Sequence, residues 1–177
     1  MILRILFLLI LNIGFIFSES WYVSQNGSDS NDGSQSQPFQ RISRGITASQ
    51  NGDTIFVNSG NYNTNLTINK NIAIISIHGP ENTIIYNNLF SALTITTPAQ
   101  ISGFTIRSSL PNENYNATCH INGETNSAVV SMDNMIFKNS NIRGEIINID
   151  NGNLSIQNSI FYSNTCLLYT SDAADEE

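Results

Sequence analysis

Ser131-Met132-Asp133-Asn134-Met135-Ile136-Phe137 returns 24 residues later as Ser155-Ile156-Gln157-Asn158-Ser159-Ile160-Phe161. Ser, Asn, Ile and Phe recur in register, and apolar Met132 is matched by apolar Ile156. A period of about 20–30 residues built of short strands is the mark of a solenoid. One coil cannot bury its apolar face alone and needs neighbours above and below. Parallel coils stack about 4.8 Å apart, so matched residues stand over one another. Ile136 is therefore expected over Ile160, and Phe137 over Phe161. Within a straight strand only one of each Ile-Phe pair points inward, unless a bend intervenes. Asn134 over Asn158 is expected to form an amide ladder at a corner, where Asn tolerates left-handed geometry.

The same rhythm runs back along the chain. Strands are expected at 65–68, 72–77, 83–86, 92–96, 101–106, 128–132, 135–137, 145–149, 154–156 and 159–162, separated by Asn- and Gly-rich corners. Many are rich in Ile, Val, Phe and Thr, which suit a pleated, half-buried surface. Gly52-Asp53-Thr54-Ile55-Phe56-Val57 opens the series, and Gly60-Asn61-Tyr62 ends its first strand. The stretch 108–126, with Pro111, Cys119 and Gly123, breaks the rhythm and reads as a loop protruding between coils.

Helical periodicity is confined to one place. Phe39, Ile42 and Ile46 share a helical face, and Pro38 suits a first turn capped by Ser36 or Gln37. Gly45 weakens this helix by about 1 kcal/mol. The helix, ending near Ser49, is expected to cover the open first coil. Before it lies Trp21-Tyr22-Val23, a short β-prone run, and then a polar loop from Asn26 to Ser34. Its Asp29-Ser30-Asn31-Asp32-Gly33 stretch resembles a calcium loop only loosely. The Gly comes one position early and no Glu follows at the right distance, so a turn with Asx hydrogen bonds is expected.

The two ends differ from the middle. Met1 and Arg4 precede an apolar run to Phe17, and small residues follow at Ser18 and Ser20. A run of about 13 residues is short of the roughly 20 that span a bilayer, so residues 1–20 read as a secretory signal peptide. From Cys166 to Glu177 there is no Asn and Ala173-Ala174 are adjacent, although Asn is abundant up to Thr165. This tract resembles the translation of a transposase-type sequencing adapter, and residues 166–177 are expected to be a non-native tail. The expected organisation is thus a signal peptide (1–20), an N-terminal strand, loop and capping helix (21–52), β-helix coils (53–165) and the tail.

The chain has 7 basic and 14 acidic residues, for a net charge of −7. Four of the acidic residues, Asp172, Asp175, Glu176 and Glu177, belong to the tail; without them 10 acidic face 7 basic, a charge of −3. No basic stripe marks a nucleic-acid surface. No other segment is apolar enough to span a membrane. Cys119 has no partner outside the tail, and a bridge to Cys166 is not to be inferred.

These residues resemble a known group. Tyr22-Val23-Ser24, the Gly27-Ser28-Asp29 and Asp32-Gly33 loop, Pro38-Phe39, Gly52 to Val57 and Gly60-Asn61-Tyr62 form an ordered series. The series is similar to the N-terminal part of right-handed parallel β-helices of the pectin-lyase-like superfamily. Ile101-Ser102-Gly103-Phe104-Thr105-Ile106 resembles a coil motif of that group. Gly144-Glu145-Ile146-Ile147 and Phe161-Tyr162-Ser163-Asn164 resemble polymorphic outer-membrane or adhesin-type repeats, which usually have a second Gly where Glu145 stands. The resemblance implies an all-β, right-handed parallel β-helix with a short N-terminal capping helix. It implies little about activity, because the fold hosts lyases, hydrolases, epimerases and non-enzymatic surface proteins.

Enzymes of that superfamily, as the resemblance has it, use clustered acidic residues with Arg or Lys. Here Glu81, Arg107, Asp133, Lys138, Arg143, Glu145 and Asp150 look scattered and solvated. His78 lies at a corner and His120 in the protruding stretch, neither with a second ligand at metal spacing. No catalytic residue, metal ligand or cofactor site is assigned. Sequons occur at Asn26, Asn65, Asn116 and Asn153, as many as chance supplies in so Asn-rich a chain. Asn116, in the loop, is the most accessible of them. The expected function is a secreted or cell-surface scaffold acting in adhesion or in binding polysaccharide or cell-surface glycans. The alternative is the N-terminal part of a polysaccharide lyase or hydrolase whose active site lies in later coils.

Overall fold

The computed structural model describes residues 18–88, 91–108, 117–123, 128–138, 140–142 and 145–166. A leading strand, β1 (Ser20–Val23), is followed by the helix α1 (Ile42–Ala48). Successive coils then contain β2 (Thr54–Val57), β3 (Gly60–Asn63) and β4 (Leu66–Ile68); β5 (Ile72–Ser76), β6 (Thr83–Asn87) and β7 (Leu93–Ile95); β8 (Ala99–Ser102), β9 (Thr105–Ser108) and β10 (Ala117–Asn122). The fourth holds β11 (Val129–Asp133), β12 (Ile136–Lys138), β13 (Asn141–Ile142) and β14 (Glu145–Asn151). A further turn brings β15 (Asn153–Gln157), β16 (Ile160–Tyr162) and β17 (Thr165–Cys166).

Every ladder among the described residues is parallel. The sheets run β1-β2-β5-β8-β11-β15, β3-β6-β9-β12-β16 and β4-β7-β10-β14, with β13 paired to β17. The fold is a right-handed parallel β-helix. The two expected pairs are in register, Ile136 with Ile160 and Phe137 with Phe161. The Phe137 and Phe161 rings stack with centroids 4.6 Å apart. Ile136 and Phe137 are both buried, because β12 starts just after the bend at Asn134.

Inward columns make the core. Trp21, Ile55, Ile74, Ile101, Met132 and Ile156 stand in one register line. Tyr62, Ile85, Ile106, Phe137 and Phe161 form a second. Leu66, Leu93, Cys119 and Ile147 form a third. Coil length varies between neighbours, yet the columns hold.

Gly103, Asn134 and Asn158 turn the same corner with φ of 81°, 51° and 49°. Gly and Asn are the residues that visit this left-handed region at least cost. The amide ladder expected there is replaced by a different bond: the Asn158 amide donates to Asp133 Oδ1 at 2.8 Å.

Several expectations are corrected. The stretch 101–106 is not one strand, since Gly103 breaks it into β8 and β9. Gly60–Asn63 is a strand rather than a corner. The segment read as a protruding loop carries β10, whose Ala117, Cys119 and Ile121 are buried between β7 and β14. Burial, with no disulfide, makes Cys119 a small core residue and pushes its thiol up to about 12. The helix begins after Arg41, with no side-chain cap, and Pro38 lies outside it. Phe39 instead bridges Val23 and stacks on Trp21.

Helix α1 packs on β1, β2 and β4 through Ile42, Gly45 and Ile46. Gly45 permits the close approach: a Cβ there would lie 3.2 Å from Ile55 and 3.3 Å from Val23 side-chain atoms. Lys70 Nζ donates to the carbonyls of Ile46, Thr47 and Ser49 at 2.7, 3.1 and 2.6 Å, closing the C-terminal end of the helix with a cation.

Candidate functional site

The polar loop at the N-terminal end is a brace. Asp29 Oδ1 accepts the backbone N–H groups of Gln40 and Arg41 at 3.0 Å, and Oδ2 pairs with the Arg41 side chain. Burial would raise the Asp29 carboxyl, but these Arg41 and Gln40 contacts outweigh it and hold the pKa below 3.8. Asp32 Oδ1 accepts Ser34 N–H at 2.9 Å, an Asx turn as expected.

Beside this brace, Gln25, Gln40, Arg41, Asn61, Asn63 and Thr64 line a groove of about 230 Å³. Gln25 serves β3 as a substitute strand. Its Nε2 donates to Asn61 O at 2.7 Å and its Oε1 accepts Asn61 N–H at 3.3 Å. Tyr62 points inward and donates its hydroxyl to Asn58 O at 2.9 Å. Burial pushes the Tyr62 hydroxyl up to about 12, which suits a structural role.

The outer face of the same sheet runs away from this groove. Asn63 pairs with Tyr86, and Tyr86 pairs with Arg107. The pairing of Phe137 with Ile106 sets Lys138 beside Arg107, and Lys138 pairs with Tyr162. One outward column therefore reads Asn63, Tyr86, Arg107, Lys138, Tyr162. Four steps of about 4.8 Å give it a length of roughly 19 Å. The Arg107 guanidinium lies 4.9 Å from the Tyr86 ring centroid, and Lys138 Nζ lies 5.6 Å from that of Tyr162. Each cation is held by a ring from the coil on its far side. Glu81 Oε2 is 3.9 Å from Lys138 Nζ, and Arg107 has no ion pair among the described residues.

Thus Arg107 and Lys138, which look scattered in the sequence, stand one coil apart. They are separated from their rings by 21 and 24 residues and from each other by 31. No fixed period could have revealed them. On another sheet, Thr67, Thr94, His120 and Asn148 form an outward column. The register slips after Ile121, so Asp150 is an extra residue in β14 and reaches His120 Nε2 at 2.7 Å. His120 is therefore a strand residue with a carboxylate partner. Glu145 accepts the Asn148 amide at 2.9 Å.

His78 is exposed at a corner where its carbonyl accepts the Asn82 amide. Asp133 lies on a different sheet from Arg107 and Lys138. Among the described residues no three His, Cys, Asp or Glu side chains gather as metal ligands. Asn26, Asn65 and Asn153 are exposed. Asn116, the Arg143-Gly144 pair, residues 1–17 of the expected signal peptide and residues 167–177 of the expected tail lie outside the described residues. No helix among the described residues is long and apolar enough to cross a membrane.

No curated protein matches the chain. Among solved structures it is similar to a pectin methylesterase mutant in complex with a hexasaccharide, at 14% identity and a TM-score of 0.56, over 86% of this chain and 57% of that one. It is also similar to the pectin methylesterase PemA from Erwinia chrysanthemi, at 17% identity and a TM-score of 0.49, over 81% of this chain and 55% of that one. The chain thus spans little more than half the length of either, and at this identity the likeness is one of fold. Residues 25–168 match the family described as a protein of unknown function, DUF1565, and the chain belongs to that family.

Proposed function

We propose that this protein is a scaffold of the cell exterior that binds polysaccharide without cleaving it. The observation that carries the reading is the outward column from Asn63 to Tyr162, with two cations between two tyrosines. Tyrosine offers a rigid ring with a polar edge, and Arg offers a planar fork of donors. Both suit the mixed apolar and hydroxylated surface of a sugar. A solenoid face repeats such groups at coil spacing, which favours a long ligand over a small one. The solved methylesterase complex with a hexasaccharide supports the reading only in that a fold of this kind accommodates a glycan chain.

The test is to offer the protein a panel of polysaccharides and record two signals separately. Retention in affinity electrophoresis reports binding. Release of methanol, reducing ends or unsaturated sugar reports catalysis. Retention without release is expected. Release of any product would replace the scaffold with a polysaccharide-modifying enzyme, and no retention by any glycan would end the reading.

A further inference from the structure

The column also bears on the kind of glycan, an inference that rests on the glycan-binding reading above. Arg107 and Lys138 are like charges on adjacent coils, about 4.8 Å apart at the backbone. Such neighbours repel, and like charges directly opposite on a sheet are destabilising. The two rings and Glu81 relieve part of this. A guanidinium lying flat on a ring keeps its N–H edge for a planar anion. Without the expected tail the chain still carries a net charge of −3, so two cations side by side on one face are a local exception that draws a polyanion.

A small anion would use the two cations and leave the remaining length of the strip empty. A linear polymer with an acid group on successive units would meet Arg107 and Lys138 together. It would continue past Tyr86 and Asn63 into the groove lined by Gln25 and Gln40. We infer that this face, from Asn63 through Tyr86, Arg107 and Lys138 to Tyr162, binds an anionic polysaccharide lying along the solenoid axis.

The experiment is affinity electrophoresis of the full chain in gels containing polygalacturonate, dextran sulfate or neutral dextran. The two polyanions distinguish carboxylate from sulfate as the group recognised. Retention by at least one polyanion and not by dextran is expected, and it should weaken as salt is raised. Arg107→Gln and Lys138→Gln should each weaken retention about tenfold, as loss of one charge-assisted contact does. Glu81→Gln should strengthen it, because a competing carboxylate leaves. Arg44→Gln, a charge removed over Phe39 at the other end, should leave it unchanged. Circular dichroism of each variant checks that the fold is retained. Should a glutamine variant fail to fold, Glu81→Gln and Tyr162→Ala carry the test. Equal retention by dextran, or retention indifferent to all these substitutions, would overturn the anionic assignment while leaving glycan binding standing. Binding of free galacturonate as tight as that of its polymer would overturn the extended strip. Absence of retention in every gel would overturn both this inference and the reading beneath it.

Discussion

Trp21 Nε1 donates to Asp53 Oδ2 at 3.0 Å, joining the first strand to the corner that opens the first coil. The same carboxylate accepts Glu19 N–H and Gln50 N–H, both at 2.8 Å. Burial would push the Asp53 carboxyl up. The donors at Gln50, Glu19 and Trp21, with Lys70 nearby, outweigh it and hold the pKa below 3.8. The folded pKa lies below the unfolded one, so this stability is fully present above about pH 4 and is lost as pH falls through the folded value. Asp53→Asn should cost about 1.5–3 kcal/mol at pH 7 and less at pH 3, where the unfolded-state carboxyl is already mostly protonated. Urea unfolding at both pH values checks this.

Phe137 is buried between Ile106 and Phe161, whereas Phe161 is 46% exposed. Phe137→Ala should cost about 3–5 kcal/mol and Phe161→Ala clearly less. Equal losses in chemical denaturation would contradict the stacking order.

Gly33 has φ of 82°, and a Cβ there would fall 2.4 Å from the Phe39 ring and 2.8 Å from Trp21. Strain and overlap act together, so Gly33→Ala should lower stability by more than about 1 kcal/mol. Gly52 has φ of 95° but open space around it. Gly52→Ala should therefore cost less, and the difference in midpoint measures the overlap alone.

The thiol of Cys119 lies in the core with its pKa near 12. It should resist alkylation in the folded protein at pH 8 and react in denaturant. Mass spectrometry after timed labelling reads the difference.

Ile160, Phe161 and Tyr162 are 55%, 46% and 43% exposed, and β16 ends its sheet among the described residues. An exposed strand edge with apolar side chains invites pairing with another chain. The 177-residue chain freed of residues 1–20 should self-associate in sedimentation, and Phe161→Lys should reduce that association.

Strand periodicity and left-handed corners are local, so the residues alone disclose the solenoid. The match of Asn134 with Asn158 and of Phe137 with Phe161 needed only two copies of one motif. The sequence also marked α1 through Phe39, Ile42 and Ile46, although their roles diverged. Phe39 closes the loop against Trp21 while Ile42 and Ile46 belong to the helix. Which residues become neighbours across coils of unequal length is settled by the fold. Between Ile101 and Met132 the chain makes one coil, as it does between Met132 and Ile156, though the intervals differ. The ladder fixes register by backbone hydrogen bonds and inward packing, so coils of unequal length keep the same inward columns. That is why β10, with its few apolar residues in an irregular stretch, passed for a loop. It is also why Tyr86, Arg107, Lys138 and Tyr162 form a column no spacing in the sequence discloses.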